Sequence, residues 1–173
     1  VNFFLIFLIF SFSGFCNAQT YPVYNKISTI AVLDQDSLFS NTDWGKKLLK
    51  EVEGKVSNLT VENRFIESEL ELEEFNLTKI RKTISKIEFD ILAINFDEKV
   101  KKIRNEQTNK QREINMFLKD NKLLFYKKIT PILLEYIDEL GIEVLLNKDT
   151  VALASRGSDI TKSAINRINQ KLK

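Results

Sequence analysis

The chain has 173 residues, with 26 Lys and Arg residues against 24 Asp and Glu residues and a formal net charge of +2. This balance is unlike the strongly basic surface of a nucleic-acid-binding protein. The sequence contains no His, the commonest general base and metal ligand. No nucleophile elbow, phosphate loop or metal-ligand spacing occurs either, so we predict no enzyme activity, no metal site and no cofactor.

Residues 1–18 follow the pattern of a signal peptide. The apolar run from Phe3 to Phe10 is too short to span a bilayer, which takes about 20 residues. Ser and Gly residues follow it, and the small residue Ala18 stands at the expected cut. We therefore predict cleavage after Ala18 and export from the cytoplasm. No Lys or Arg precedes the run, which departs from the usual pattern. Lipidation of Cys16 is a weaker alternative, because Phe15 stands where a small residue is expected.

The segment 19–43 is predicted to hold a lead-in and the first strand of a small body. The short apolar run Ile30–Leu33 indicates a buried strand. Residues 34–43 are mostly polar and predict a turn. Thr42 or Asp43 can then cap a long helix, because side-chain oxygens of Thr and Asp accept hydrogen bonds from a helix's first N–H groups.

The segment 44–130 predicts a long antiparallel coiled-coil hairpin. Apolar residues spaced by three or four form one stripe along each helix; they are Leu49, Val52, Val56, Leu59, Ile66, Leu70, Leu77 and Ile80, then Phe89, Leu92, Phe96, Val100 and Ile103. Ser85 and Glu88 have capping-box spacing, which places the turn near 82–86. An arm of about 35 residues would reach roughly 50 Å, so we expect it to project. A single unbroken helix or an ordinary bundle is the alternative.

The middle of this hairpin is poor in apolar residues. Arg104–Glu113 contains none, and counting back from the turn places it opposite residues 55–64. Asn63 lies on the apolar stripe itself, where a polar residue fixes register at a cost in stability. We predict a hinge near Asn63, at which the hairpin can bend at mid-length. The alternative is that polar contacts keep the two helices paired and straight.

The segment 131–173 is predicted to complete the body. Gly141 ends the second long helix, Ile142–Leu146 and Val151–Ala154 form a β-hairpin, and residues 160–172 form a last helix. So small a core is marginal alone, which predicts oligomerisation. The predicted fold class is α+β and mostly helical, with a long coiled-coil hairpin projecting from a small β-strand body.

The order and lengths of these segments resemble the Skp (OmpH-like) family of periplasmic chaperones. The resemblance covers Ile27 to Lys171 and is carried by Ile30–Phe39, the charged hairpin, Thr130–Leu133, Leu140–Leu146, Val151–Leu153 and Asp159–Thr161. The turn Arg81–Ser85, the Phe89 after it and the segment Phe96–Val100 resemble the alphaproteobacterial branch. No single segment is specific, but their order and lengths together are.

The resemblance implies a homotrimer in which strands of three subunits form a body and three hairpins project as tentacles around a cavity. It implies that unfolded outer-membrane proteins are held there without ATP, in the periplasm. The trimer body is expected to bury Ile30, Val32, Val144, Leu146, Val151 and Leu153; a monomeric core is the alternative. The alternative function is a structural or adaptor coiled coil of the cell envelope.

Charge at the hairpin tip suggests a contact site. Lys79, Arg81, Lys82 and Lys86 place four positive charges in eight residues without an acid. We predict that the tip contacts clients or an anionic membrane lipid surface, the alternative being an ordinary solvated tip. Family tentacles are often strongly basic, whereas residues 46–128 here carry 19 Lys and Arg against 15 Asp and Glu.

Overall fold

The structure is a computed structural model that describes residues 30–172. The predicted signal peptide, its cleavage after Ala18 and the lead-in up to residue 29 lie outside the described residues. The main elements are, in order, β1 (Ile30–Leu33), α1 (Gln35–Asn41), α2 (Asp43–Ile80), α3 (Lys86–Glu139), β2 (Val144–Asn147) and α4 (Thr161–Lys171). The fold is α+β and mostly helical, as predicted.

Helices α2 and α3 form an antiparallel hairpin joined by residues 81–85. The 38 residues of α2 extend over about 57 Å at about 1.5 Å per residue. Two helices alone cover only one stripe of each other, so most of the seam is half-buried rather than buried. The side chains of this seam are Leu59, Asn63, Ile66, Leu70, Glu73, Leu77 and Ile80 on α2, and Phe89, Ala93, Phe96, Val100, Ile103 and Gln107 on α3.

The buried core lies at the base of the hairpin, where both long helices meet the small body. Phe125 of α3 is fully buried, and its ring makes edge-on contacts with Phe39 at 5.3 Å and Trp44 at 6.2 Å between centroids. Around it are packed Ala31, Leu33, Leu38, Leu48, Ile129, Ile142, Ile160, Ala164 and Ile168. The base is therefore a packed core, and the rest of the hairpin extends away from it.

The strands β1 and β2 are parallel, with Ile30 opposite Val144 and Leu33 opposite Asn147. Parallel neighbours need a long crossover connection, and the whole helical hairpin supplies it. On the other edge of β1, Asp159 forms an isolated bridge with Val32, where the Ile160 N–H donates to the Val32 carbonyl at 3.1 Å. The first described strand thus meets the segment just before α4 in the body.

The predicted strand Val151–Ala154 and its β-hairpin are wrong. After β2 the chain enters a 3-10 turn at Lys148–Thr150. Local hydrogen bonds tighten this turn: the Thr150 hydroxyl donates to the Asn147 carbonyl at 2.8 Å, and the Asn147 side chain accepts from the Asp149 N–H at 3.3 Å. Residues 151–154 then run past β2 without pairing to it.

The turn predicted for residues 34–43 is also wrong, because residues 35–41 form the helix α1. Asp34 caps it, since its carboxylate accepts from the Ser37 N–H at 2.8 Å and from the Ser37 hydroxyl at 2.6 Å. Thr42 separates α1 from α2 and caps α2: its hydroxyl donates to the Phe39 carbonyl at 3.0 Å and accepts from the Gly45 N–H at 3.2 Å. Two polar residues of this segment, Asp34 and Thr42, are therefore helix caps.

Candidate functional site

The hairpin tip is a tight turn fixed by its own backbone and one capping box. The Thr83 N–H donates to the Ile80 carbonyl at 2.8 Å. The Glu88 N–H donates to the Ser85 hydroxyl at 3.3 Å, and the Ser85 N–H donates to the Glu88 carboxylate at 3.0 Å. Hydrogen bonds from Ser85 hold the pKa of Glu88 below its ordinary value. The capping box read from the sequence is thus present.

All four predicted tip cations are exposed at this turn. Two of them stack on aromatic rings: the Lys79 ammonium lies 4.1 Å from the centroid of Phe75, and the Arg81 guanidinium lies 5.4 Å from that of Phe89. Cation–π contacts of this kind leave the charge accessible to solvent while the ring restricts the side chain. The structure therefore brings the tip charges together next to aromatic side chains.

A set of exposed apolar side chains on the outer half of the hairpin was missed in the sequence. On α2 they are Val61, Phe65, Leu72 and Phe75, and on α3 they are Ile87, Ile91 and Ile94. Phe75 is 55% exposed and Ile87 is 75% exposed. Their spacing of three, four or seven places each set on the helix side away from the seam. This second apolar periodicity was the signal that could have revealed them.

Two polar side chains lie on the seam at mid-length. Asn63 of α2 and Gln107 of α3 are both half-buried, and the side-chain oxygen of each is buried without a hydrogen-bond partner. Ion pairs flank this level, Lys110 with Glu62 and Lys99 with Glu73. The part of the hairpin predicted as a hinge thus contains unsatisfied buried polar atoms, which cost folding free energy.

The residues predicted for a trimer body differ in exposure within one chain. Val32 is buried, at 3% exposed, and Val151 is half-buried. Leu153 is 93% exposed, and Ile30, Val144 and Leu146 are also exposed. Since β1 and β2 form a two-stranded sheet with no further strand paired to β2 within residues 30–172, the described part of the chain leaves these four side chains uncovered.

A network of polar side chains links the end of β1 to the start of α4 and to the turn after β2. The Asp34 N–H donates to the Thr161 hydroxyl at 2.9 Å, which donates to the Asp159 carboxylate at 2.6 Å. The Lys148 ammonium contacts the other oxygen of Asp159 at 2.7 Å. The hydrogen bond from Lys148, followed by those from Thr161, lowers the pKa of Asp159 to about 2. This network joins the ends of β1 and α4 to the turn after β2.

The described part of the chain offers no site for metal chemistry. Among residues 30–172, no three His, Cys, Asp or Glu side chains are grouped so that they could hold an ion. In the same range, no helix combines the length and apolar character that crossing a membrane requires. The candidate features described above are surfaces: the charged tip, the exposed apolar residues and the strand edge.

Residues 29–168 match the family described as Outer membrane protein (OmpH-like). This range is most of the chain. The chain belongs to the OmpH-like family. The family membership predicted from the sequence is thereby confirmed. No curated protein matches the sequence of this OmpH-like chain.

A comparison with solved structures finds the same fold elsewhere. One such structure is that of a proposed outer membrane chaperone (OmpH-like) from Caulobacter crescentus CB15, with a TM-score of 0.74 and 15% sequence identity. The match covers 84% of this chain and 86% of that chain. The likeness shows that the hairpin and the small body form the same architecture in both proteins.

Proposed function

We propose that this OmpH-like chain is an ATP-independent holdase chaperone of the periplasm, which keeps unfolded outer-membrane proteins from aggregating. The observation that carries the proposal is the long hairpin with exposed apolar side chains on its outer half. Large exposed apolar surfaces on a folded protein generally mark interaction sites. Many weak apolar contacts along a projecting arm suit clients that have no fixed shape. Family membership supports the same role.

Light scattering during dilution of a denatured outer-membrane protein tests this function. We expect the chain to suppress scattering at a ratio of one oligomer to one client. The triple variant Ile87→Ser, Ile91→Ser and Ile94→Ser should weaken suppression several-fold, because it removes exposed apolar contacts near the tip. The matched control is Met116→Ser with Leu134→Ser, which removes exposed apolar side chains nearer the base.

Both variants should fold normally, since each changes side chains that are more than half exposed. Absence of suppression by the unchanged chain would contradict the holdase proposal and favour the alternative, a structural or adaptor coiled coil of the envelope. Equal loss in the tip variant and the control variant would argue against the outer half as the client-binding region.

We also propose that the chain works as a homotrimer assembled through its body. The exposed Ile30, Val144, Leu146 and Leu153 support this. The edge of β2 that no strand within residues 30–172 pairs supports it too, because unpaired strand edges readily accept another strand. Native mass spectrometry at micromolar concentration should give three chains. Leu146→Asp should dissociate the assembly, whereas Leu134→Asp, also on an exposed apolar residue, should not. A native mass of one chain would exclude the trimer.

The tip is proposed as a second contact point, for clients or for an anionic membrane lipid surface. Its support is the group Lys79, Arg81, Lys82 and Lys86 beside the exposed Ile87. Basic residues near apolar side chains suit a surface of anionic headgroups. Co-sedimentation with vesicles of anionic and of neutral phospholipid separates the two partners: binding to anionic vesicles alone supports lipid contact, and binding to neither leaves the tip to clients.

A further inference from the structure

The charged side chains on one face of the hairpin form ion pairs between α2 and α3, whereas those on another face do not. On one face, Glu62 pairs with Lys110 and Glu73 pairs with Lys99. Both pairs are eleven residues apart on each helix, which is three helical turns. They fix the alignment of α2 against α3, and the same offset places Glu71 of α2 at the level of Lys101 of α3.

The other face carries a groove with unpaired charges on both walls. Glu67, Glu71 and Glu74 line it from α2, whereas Lys101 and Arg104 line it from α3. Its floor is apolar, formed by Leu70, Phe96 and Val100; Asp97 is the one acid on the α3 wall. None of the ion pairs formed within residues 30–172 uses a charge of this groove.

The charges of the two helices are segregated over this whole level of the hairpin. Residues 62–74 of α2 contain six Glu and one Arg. Residues 99–112 of α3 contain six Lys or Arg and one Glu. The near-neutral total charge thus conceals an acidic helix beside a basic helix. One hairpin satisfies only two of these charge pairs across its own seam.

Rotational symmetry decides what lies next to each helix in an assembly. When copies project in the same direction around one axis, each rotation keeps the order of α2 and α3. If the two helices of each hairpin lie side by side around the axis, the α3 of one copy faces the α2 of the next all the way round, as in any closed head-to-tail ring. With this sequence, a basic helix meets an acidic helix at every such junction.

We propose that these charges form an electrostatic contact between neighbouring hairpins of the assembly, so that the partner of this surface is a second copy of the chain. The contact draws the hairpins together at mid-length and narrows the space between them when it is empty. It rests on the homotrimer of the proposed function. Opposite charges on exposed side chains attract only over about 8 Å at physiological ionic strength, so salt or an enclosed client releases the contact.

Carbodiimide cross-linking of isotopically mixed protein tests this contact. Chains labelled with ¹⁴N and ¹⁵N are unfolded, mixed and refolded, and the reagent then joins carboxylates to Lys amines in contact. We expect mixed-isotope cross-links from Glu67, Glu71 and Glu74 to Lys101 or Lys102. They should fall several-fold in high salt, whereas the link between Glu73 and Lys99 should stay within one isotope and serve as the internal control.

Charge reversal sharpens the test. The acidic-row variant changes Glu67, Glu71 and Glu74 to Lys, and the basic-row variant changes Lys101, Lys102 and Arg104 to Glu. Each alone places like charges at every junction and also removes one of the two groups that the reagent joins, so these single-row variants serve as blanks without mixed-isotope links. The variant that carries both sets restores opposite charges with exchanged positions, so links should return. Circular dichroism checks that every variant keeps its helices.

Three outcomes contradict the proposal. Absence of mixed-isotope links in a sample whose native mass is that of the trimer refutes the contact while the holdase proposal stands. Failure of the doubly reversed variant to recover links, with helices intact, also refutes it, because charge alone should then suffice. A native mass of one chain refutes the contact together with the homotrimer.

Discussion

At the scale of single residues, the two glycines of α2, Gly45 and Gly54, differ in the space around them. A Cβ on Gly45 would lie 1.6 Å from the Phe39 carbonyl oxygen, so α1 and α2 meet closely because this residue has no side chain. Nothing lies within 4 Å of a Cβ on Gly54. The close approach at Gly45 allows Thr42 to cap α2 while fully buried.

We predict that Gly45→Ala lowers the free energy of unfolding by more than about 2 kcal/mol, because backbone would have to move in a packed core. Gly54→Ala is the control in the same helix and should raise that free energy by about 0.5–1 kcal/mol, since Ala favours an exposed helix interior. Urea unfolding followed by circular dichroism measures both. Similar effects of the two changes would argue against the close contact between α1 and α2.

The Asp159 network makes the body sensitive to acid. The ordinary pKa of its carboxyl is 3.8, and in the folded chain it is about 2. A depressed folded pKa contributes stability above pH 4 that is lost as pH falls from about 4 to 2. Because this ion pair is partly exposed, solvent screening limits the contribution of the shift to about 1 kcal/mol. The pKa of Asp34 is lowered too, chiefly by Ser37, and adds in the same direction.

We therefore expect Asp159→Asn to be destabilised at pH 7 and to lose less stability than the unchanged chain between pH 4 and pH 2. Asp149→Asn is the control, because Asp149 lies next to Lys148 on the turn after β2 and its side chain is exposed. Urea midpoints at both pH values measure the effect. Identical acid sensitivity in the Asp159→Asn variant would show that this carboxylate does not hold the body together.

At the scale of elements, the hairpin is held unevenly along its length. Its base contributes Phe125 and Ile129 to the buried core, whereas its seam farther out is half-buried. At mid-length Asn63 and Gln107 bury oxygens without partners. Regions with little buried apolar area open at lowest free energy, so the hinge stays a prediction with a physical reason in the structure.

Amide hydrogen exchange tests that hinge. We predict faster exchange in residues 104–113 than in residues 89–103. Asn63→Leu should slow exchange in residues 104–113 about tenfold, because removing an unsatisfied buried polar group recovers roughly 1–3 kcal/mol of stability. The same variant should hold large clients less well. Thr60→Leu is the control on an exposed side of α2. Equal protection of the two segments in the unchanged chain would rule the hinge out.

At the scale of the whole molecule, the tip lies at the far end of a helix about 57 Å long, and the body lies at the other end. Cations placed there meet a client first as it approaches. Changing Lys79, Arg81, Lys82 and Lys86 to Gln should slow client capture several-fold at low salt and flatten its salt dependence. Stopped-flow fluorescence of a labelled client measures the rate.

The control for this prediction removes four exposed Lys residues near the base, Lys46, Lys47, Lys50 and Lys119. It changes the net charge by the same amount and should leave the capture rate close to that of the unchanged chain. Equal slowing in both variants would show that total charge, and not the position of the tip, governs capture. Rates that do not change with salt in the unchanged chain would exclude electrostatic capture altogether.

The sequence by itself determined the elements whose signals are local. The period of the apolar residues predicts the helices, and the spacing of Ser85 and Glu88 predicts where α3 begins. Gly141 has a φ of 66°, which glycine adopts at little cost, and it follows the end of α3. Each signal acts within a few residues of itself. For the same reason the order of the segments was enough to indicate the family.

Only the tertiary structure decided what depends on contacts between distant segments. Val151–Ala154 has the composition of a strand, but the chain enters a 3-10 turn at Lys148–Thr150 and residues 151–154 pair with no described strand. Asp159, which lies farther along the chain, forms the bridge to β1 instead. The composition of residues 34–43 predicts a turn. In the structure, Leu38 and Phe39 pack with Phe125, and this packing makes the helix α1 part of the core. The alignment of an acidic helix segment with a basic one likewise follows from how α2 and α3 pair. The net charge of the chain does not reveal it, because the acidic and basic residues of the two helices cancel in that sum.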